Sequence, residues 1–153
     1  MKRRLFGRRD EAVTEVIGYV LSFALSAIFL LLALNVFWAA RANTEAVTTG
    51  VELKTIADRV AARIVEMGAI AQEFPNATMN ATLVIPQSLS GKIYTIEAQS
   101  DEVTARLNDG SLSFAATTFK LDETGVDVDG DVDSSNERVI IEYHNGIITI
   151  LGG

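Results

Sequence analysis

Two tripeptides in this 153-residue chain have the residue types and spacing for a covalent modification: Asn76-Ala77-Thr78 and Asn80-Ala81-Thr82. In each, an asparagine amide stands two positions before a threonine hydroxyl with no proline between them, the acceptor pattern for an N-linked glycan on an exported surface. Asn76 is the favoured acceptor, and Asn80 is a second candidate where a strand would shield it. A second group is acidic. Asp127, Asp129, Asp131 and Asp133 alternate with Val128, Gly130 and Val132, so the carboxylates either share one face of a strand or crowd a loop. Calcium is the ion such oxygens attract, but its twelve-residue loop needs glycine at the sixth position and an acid at the twelfth. Counting from Asp127 these are Val132 and Arg138, and from Asp129 they are Ser134 and Ile140. Neither register fits, and the expectation is a hydrated acidic hairpin with no metal site. His144 is the only histidine and cysteine is absent, so zinc ligation and a Ser-His-Asp triad both lack partners, and His144 is expected to be exposed. With no glycine-rich phosphate loop and no nucleophile elbow either, the chain does not read as an enzyme, and no cofactor is expected.

The absence of cysteine also removes disulfides, leaving any core to hold itself together by packing. Charge is segregated along the chain. Lys2, Arg3, Arg4, Arg8 and Arg9 open it, whereas from Arg41 onward 8 Lys or Arg face 17 Asp or Glu, a net of −9. Such a surface repels nucleic acid and anionic lipid, so a nucleic-acid partner is not expected.

Between these charges, Val16 to Ala40 is a run of 25 residues with no charge. As a helix it measures about 37 Å against roughly 30 Å of hydrocarbon, enough to span with some tilt. A domain of this size could not surround such a helix with apolar partners on all sides, which argues against a buried core helix. Five basic residues precede the run and only Arg41 follows it closely. The positive-inside bias then puts the N-terminus in the cytoplasm and exports the rest. Phe37 and Trp38 suit the outer headgroup region, where Arg41 can snorkel. Gly18, Ser22 and Ser26 recur at four-residue steps, a narrow face on which helices of neighbouring copies could approach closely; small residues are also common in any span.

Beyond the run, Leu53, Ile56, Ala57, Val60, Ile64, Met67 and Ala71 recur at three- and four-residue steps, the pattern of an amphipathic helix. Lys54 with Asp58 and Arg63 with Glu66 can pair on its solvated side. Val47-Thr48-Thr49-Gly50 lowers helical propensity and predicts a kink or melted turn, and Pro75 closes the helix. From residue 77 the pattern changes to short runs rich in Val, Ile, Thr, Phe and Tyr. Strands are expected over 78–85, 92–98, 102–107, 111–120, 137–144 and 147–151. Asn108-Asp109-Gly110 and Asn145-Gly146 are turns. A two-residue turn at Asn145-Gly146 sets His144 opposite Ile147, Tyr143 opposite Ile148 and Ile141 opposite Ile150, which makes one face apolar and turns it toward the helix. The expected fold class is α+β, a long N-terminal transmembrane and amphipathic helix followed by a small antiparallel β-sheet. Its layout is a basic cytoplasmic leader over 1–12, a transmembrane helix over 13–41, an extracellular helix over 42–74 and a β-rich head over 75–153.

The order of parts, with Val13-Thr14-Glu15-Val16-Ile17-Gly18-Tyr19-Val20-Leu21 after a basic leader, resembles haloarchaeal type IV pilin-like proteins with a class III signal peptide. Ile85-Pro86 followed by Gly91-Lys92-Ile93-Tyr94-Thr95-Ile96 is similar to a segment recurring in their head domains. The resemblance implies cleavage between Ala12 and Val13 by a prepilin peptidase, after which the apolar helix stays with the subunit. It also implies assembly with other pilin subunits, in which Glu15 pairs with a neighbour's new amino group, and either membrane or extracellular-filament localisation with adhesion as a role. The chain departs from the family where Asp10-Glu11 stands before Ala12, since Arg or Lys usually precedes the small residue. A membrane-anchored surface domain that binds an ion, glycan or protein and never polymerises is the alternative.

Overall fold

The computed structural model describes residues 4–99, 101–118, 121 and 125–153, with the side chains of residues 4–12 outside that description. The leader's basic side chains, the Ala12 side chain and the last two positions of the strand expected over 111–120 therefore lie outside the described residues. The described residues form a long helix α1 (Arg4–Glu73) and then seven strands. These are β1 (Met79–Val84), β2 (Tyr94–Gln99), β3 (Glu102–Leu107), β4 (Ser113–Thr117), β5 (Asp127–Asp133), β6 (Arg138–His144) and β7 (Ile147–Gly152). The strands make one sheet in the order β1-β6-β7-β5-β2-β3-β4. The fold class is thus α+β, as the hydrophobic periodicity implied. By contact density the chain divides between Thr44 and Glu45 into two units, each taken on its own.

In the unit that begins at Glu45, the helix exists because its apolar positions repeat at 3.6-residue spacing and find a sheet to bury them. Leu53, Ile56, Ala57, Val60, Ala61, Ile64, Met67 and Ala71 are buried in one cluster with the inward positions of β2, β3, β5, β6 and β7. Lys54 pairs with Asp58 at 2.9 Å on the solvated side, and Arg63 pairs with Glu66 there at 2.5 Å. The melted turn allowed at Val47–Gly50 does not form, for the helix continues through it. Tertiary contacts outweigh the weak local propensity there. Thr49 is buried with its hydroxyl 2.8 Å from that of Ser90, and a Cβ on Gly50 would lie 3.4 Å from the Phe114 ring. The helix ends before Pro75, whose carbonyl accepts the Tyr143 hydroxyl at 2.9 Å.

Five of the strands fall within a residue or two of the expected runs; β4 is shorter than its expected run, ending at Thr117. The β6–β7 hairpin has the expected register, with His144 opposite Ile147, Tyr143 opposite Ile148 and Ile141 opposite Ile150. Asn145 (φ 51°) and Gly146 (φ 87°) are both left-handed, the turn geometry that matches the twist of the flanking strands. Two expectations are corrected. The acidic run is not a hairpin but the strand β5, paired on both sides, and the sheet is not wholly antiparallel because β5 runs parallel to β7.

Candidate functional site

Three surfaces carry the residues singled out by sequence. The first is the N-terminal half of α1, where the helix of residues 13–73 is long and apolar enough to cross a membrane. Among the described side chains from Val13 to Thr48, none is buried, and rings such as Phe23 reach 77% exposure. Exposed apolar area of this extent costs roughly 25 cal/mol per Å2 in water, so the surface requires lipid or other apolar helices around it. Val13, Glu15, Gly18, Ser22 and Ser26 all lie exposed on this helix, and a Cβ placed on Gly18 would meet nothing within 4 Å. Toward the end of the unit, Phe37 and Trp38 meet edge to face at 6.2 Å, and the Arg41 guanidinium lies 5.9 Å from the centre of the Trp38 ring. Reading the sequence gave both residues an interfacial role but missed their pairing. The signal was the three-residue step from Trp38 to Arg41, which puts them on one side of a helix.

The second surface is the outer face of the sheet. On β5, Val128 and Val132 point into the core, so Asp127, Asp129 and Asp131 stand exposed on the other side and Asp133 is half-buried. Glu97 on β2 lies directly opposite Asp131, a like-charged pair in a central position of the sheet. The carboxylates are strung along a strand and do not converge. Among the described residues no three His, Cys, Asp or Glu side chains are placed to hold a metal. Asp133 instead caps the 3-10 turn at Ser134–Asn136 by accepting from the Ser135 N–H at 2.9 Å, and it takes a second bond from Asn108. The Ser135 N–H first, and then the surrounding side chains, hold its carboxyl below the usual aspartate range. Asp109, missed as anything but a turn residue, accepts from Lys92 at 2.7 Å and from both the N–H and the hydroxyl of Ser111. Its Lys92 bond above all depresses its carboxyl well below the ordinary range. On the core side Tyr94 is fully buried and donates to the Pro86 carbonyl at 2.7 Å, while burial pushes its phenol upward.

The third surface lies where the turn after α1 meets the β6–β7 turn. Asn76 is exposed in that first turn, and Asn80 is exposed on β1, an edge strand, opposite Glu142. Burial does not shield Asn80, since the outer face of β1 is open. His144 is exposed, its Nδ1 3.3 Å from the Thr78 hydroxyl and its Nε2 3.0 Å from the Asn145 amide. Beside Asn76 is an open cleft of ≈ 500 Å3, lined in part by Gln72, Pro75, Asn145 and Gly146.

Compared with known proteins, residues 8–150 match the model of a family described as a family of unknown function (DUF7266). No curated protein and no solved structure matches the chain.

Proposed function

The chain belongs to that family of unknown function (DUF7266), and we propose that it is a single-span surface protein whose N-terminal helix assembles with like helices into a type IV pilus-like filament. The observation that carries this reading is the uncharged stretch Val16 to Ala40, with none of its side chains buried, on a helix long and apolar enough to cross a membrane. Such a surface has two stable settings, lipid and a bundle of similar helices, and a subunit that moves from membrane to filament exchanges one for the other. The basic leader before it and the single Arg41 after it support a cytoplasmic N-terminus and an exported sheet domain. Ala12 and Val13 are the cleavage positions, a prepilin peptidase is the processing partner, and Gly18, Ser22 and Ser26 form the close-packing face. Glu15, next to the apolar run, pairs with the amino group of Val13 in a neighbouring copy, an attraction strengthened where water is scarce. The sheet's acidic outer face then forms the filament's contact with its surroundings.

The test is to shear and purify surface filaments and sequence the N-termini of their subunits. Chains that begin at Val13 are expected. Intact Met1 chains confined to the membrane fraction would sink the reading. That outcome is the signature of the second reading, a permanently anchored surface domain, which the Asp10-Glu11 pair ahead of Ala12 favours because it breaks the basic run at the cut.

A further inference from the structure

We infer that Asn76, and not Asn80, is the glycan acceptor of this chain, and that the first sugar of the glycan rests in the cleft beside it. The inference depends on export of the sheet domain as read above. Both asparagines sit in acceptor tripeptides and both are exposed, so neither the tripeptide pattern nor burial separates them. Their backbones do. Asn80 lies within β1, where its strand is hydrogen-bonded to β6 and its side chain faces the Glu142 carboxylate. A transferase must bend the acceptor backbone away from its neighbours, and at Asn80 this means opening the β1 ladder. Asn76 lies in the turn after α1, closed by the Ala77 N–H donating to the Phe74 carbonyl at 3.0 Å, outside any ladder. Its release disturbs one turn.

The reaction joins the Asn76 amide nitrogen to the anomeric carbon of a lipid-phosphate-linked or lipid-pyrophosphate-linked sugar. A C–N bond forms, the anomeric C–O bond breaks, the lipid phosphate leaves with the bonding pair, and one amide proton passes to a base of the transferase. No electrons are exchanged with an oxidant or reductant. The threonine hydroxyl that completes the tripeptide, Thr78, is afterwards held against His144.

What distinguishes this acceptor is the space next to it. The cleft of ≈ 500 Å3 falls within the roughly 300–1,000 Å3 of ordinary small-ligand sites. Its wall offers the amides of Gln72 and Asn145, which both donate and accept, together with the exposed Pro75 ring, while Tyr143 lies buried behind it with its hydroxyl bound to the Pro75 carbonyl. Amides flanking an apolar ring suit a neutral polyol, which needs donors and acceptors in equal measure and an apolar face against its C–H groups. Because Asn76 itself lines the cleft, its own glycan reaches it at high effective concentration, so contacts too weak to hold a free sugar hold a tethered one.

The test uses the full chain expressed on the surface of cells able to N-glycosylate exported proteins. External protease first establishes whether the sheet domain is outside. Peptide mass spectrometry then locates the glycan, and thermal unfolding in detergent is compared before and after enzymatic or chemical removal of the sugar. The expected results are a glycan on Asn76 that Asn76→Gln abolishes, that Asn80→Gln leaves in place, and that survives Thr78→Ser. Deglycosylation is expected to lower the melting temperature by roughly 4 °C, the shift that losing about one net hydrogen bond produces in a domain of this size. Gln72→Ala, on the exposed helix side, is expected to keep the glycan and shrink that shift. An exported domain with Asn76 bare, or with the glycan on Asn80, overturns the acceptor assignment. A glycan on Asn76 whose removal leaves the melting temperature unchanged overturns the seating. A domain shielded from protease overturns the topology, and this inference with it.

Discussion

Asp109 and Gly130 show how much single positions in the sheet domain are constrained, one by charge and one by space. A carboxyl whose folded value is depressed stabilises the fold above its ordinary range near pH 4, and that contribution is lost as pH falls through the lower, folded value. The Lys92–Asp109 pair is therefore expected to persist at pH 4 and to open only in stronger acid. Carboxyl-detected NMR checks this: Asp109 should titrate below the ordinary aspartate range, and Lys92→Ala should move it back up. Because the pair is exposed, its loss should hardly change stability. Gly130 is different. Its φ is +128°, and an added Cβ would lie 2.5 Å from the Ile150 carbonyl oxygen, inside the parallel β5–β7 pair. Gly130→Ala is expected to cost more than about 2 kcal/mol in denaturant unfolding, since backbone strain and a backbone clash add. Gly91→Ala, where φ is +76° and nothing lies within 4 Å, should cost only about 1 kcal/mol.

The helix between Glu45 and Glu73 has two unlike sides, and substitutions should report them. Ile64 is fully buried, so Ile64→Ala is expected to destabilise by about 2–5 kcal/mol, whereas Val51→Ala on the exposed side should stay within about 0.5 kcal/mol. Equilibrium unfolding of both variants measures the difference. This helix was readable in the sequence because seven apolar positions share one period, and the β6–β7 hairpin was readable because Asn145-Gly146 fixes the register of the alternating residues around it. The strand β5 was not. Aspartate at every second position and glycine at its centre have poor strand propensity, and only Val128 and Val132 mark its inward side. Its strand character comes from pairing with β2 and β7, partners 20 to 38 positions away in sequence, which no local pattern encodes. The continuity of the helix through Val47–Gly50 was hidden for the same reason, because the groups that hold it, Ser90 and Phe114, are distant in sequence. Of the candidate sites, the acceptor tripeptides were plain from residue types alone, but the cleft beside Asn76 was not, since it is assembled from two turns.

The whole chain combines one unit that needs apolar surroundings with one that has its own core. A fragment of residues 45–153 is expected to fold and stay monomeric in water, while the full chain should require detergent or self-associate. Size-exclusion chromatography with light scattering and circular dichroism of both forms decides this, and an unfolded or aggregated fragment would contradict it. Within the sheet, β7 lies third in the order, between β6 and β5. Without it the strands fall into two separate groups, β1 with β6 and β5 with β2, β3 and β4. β7 is the latest of these strands in the chain, so the keystone of the sheet is synthesised after the strands it joins: until Ile147 to Ile150 emerge, neither group can close on the other.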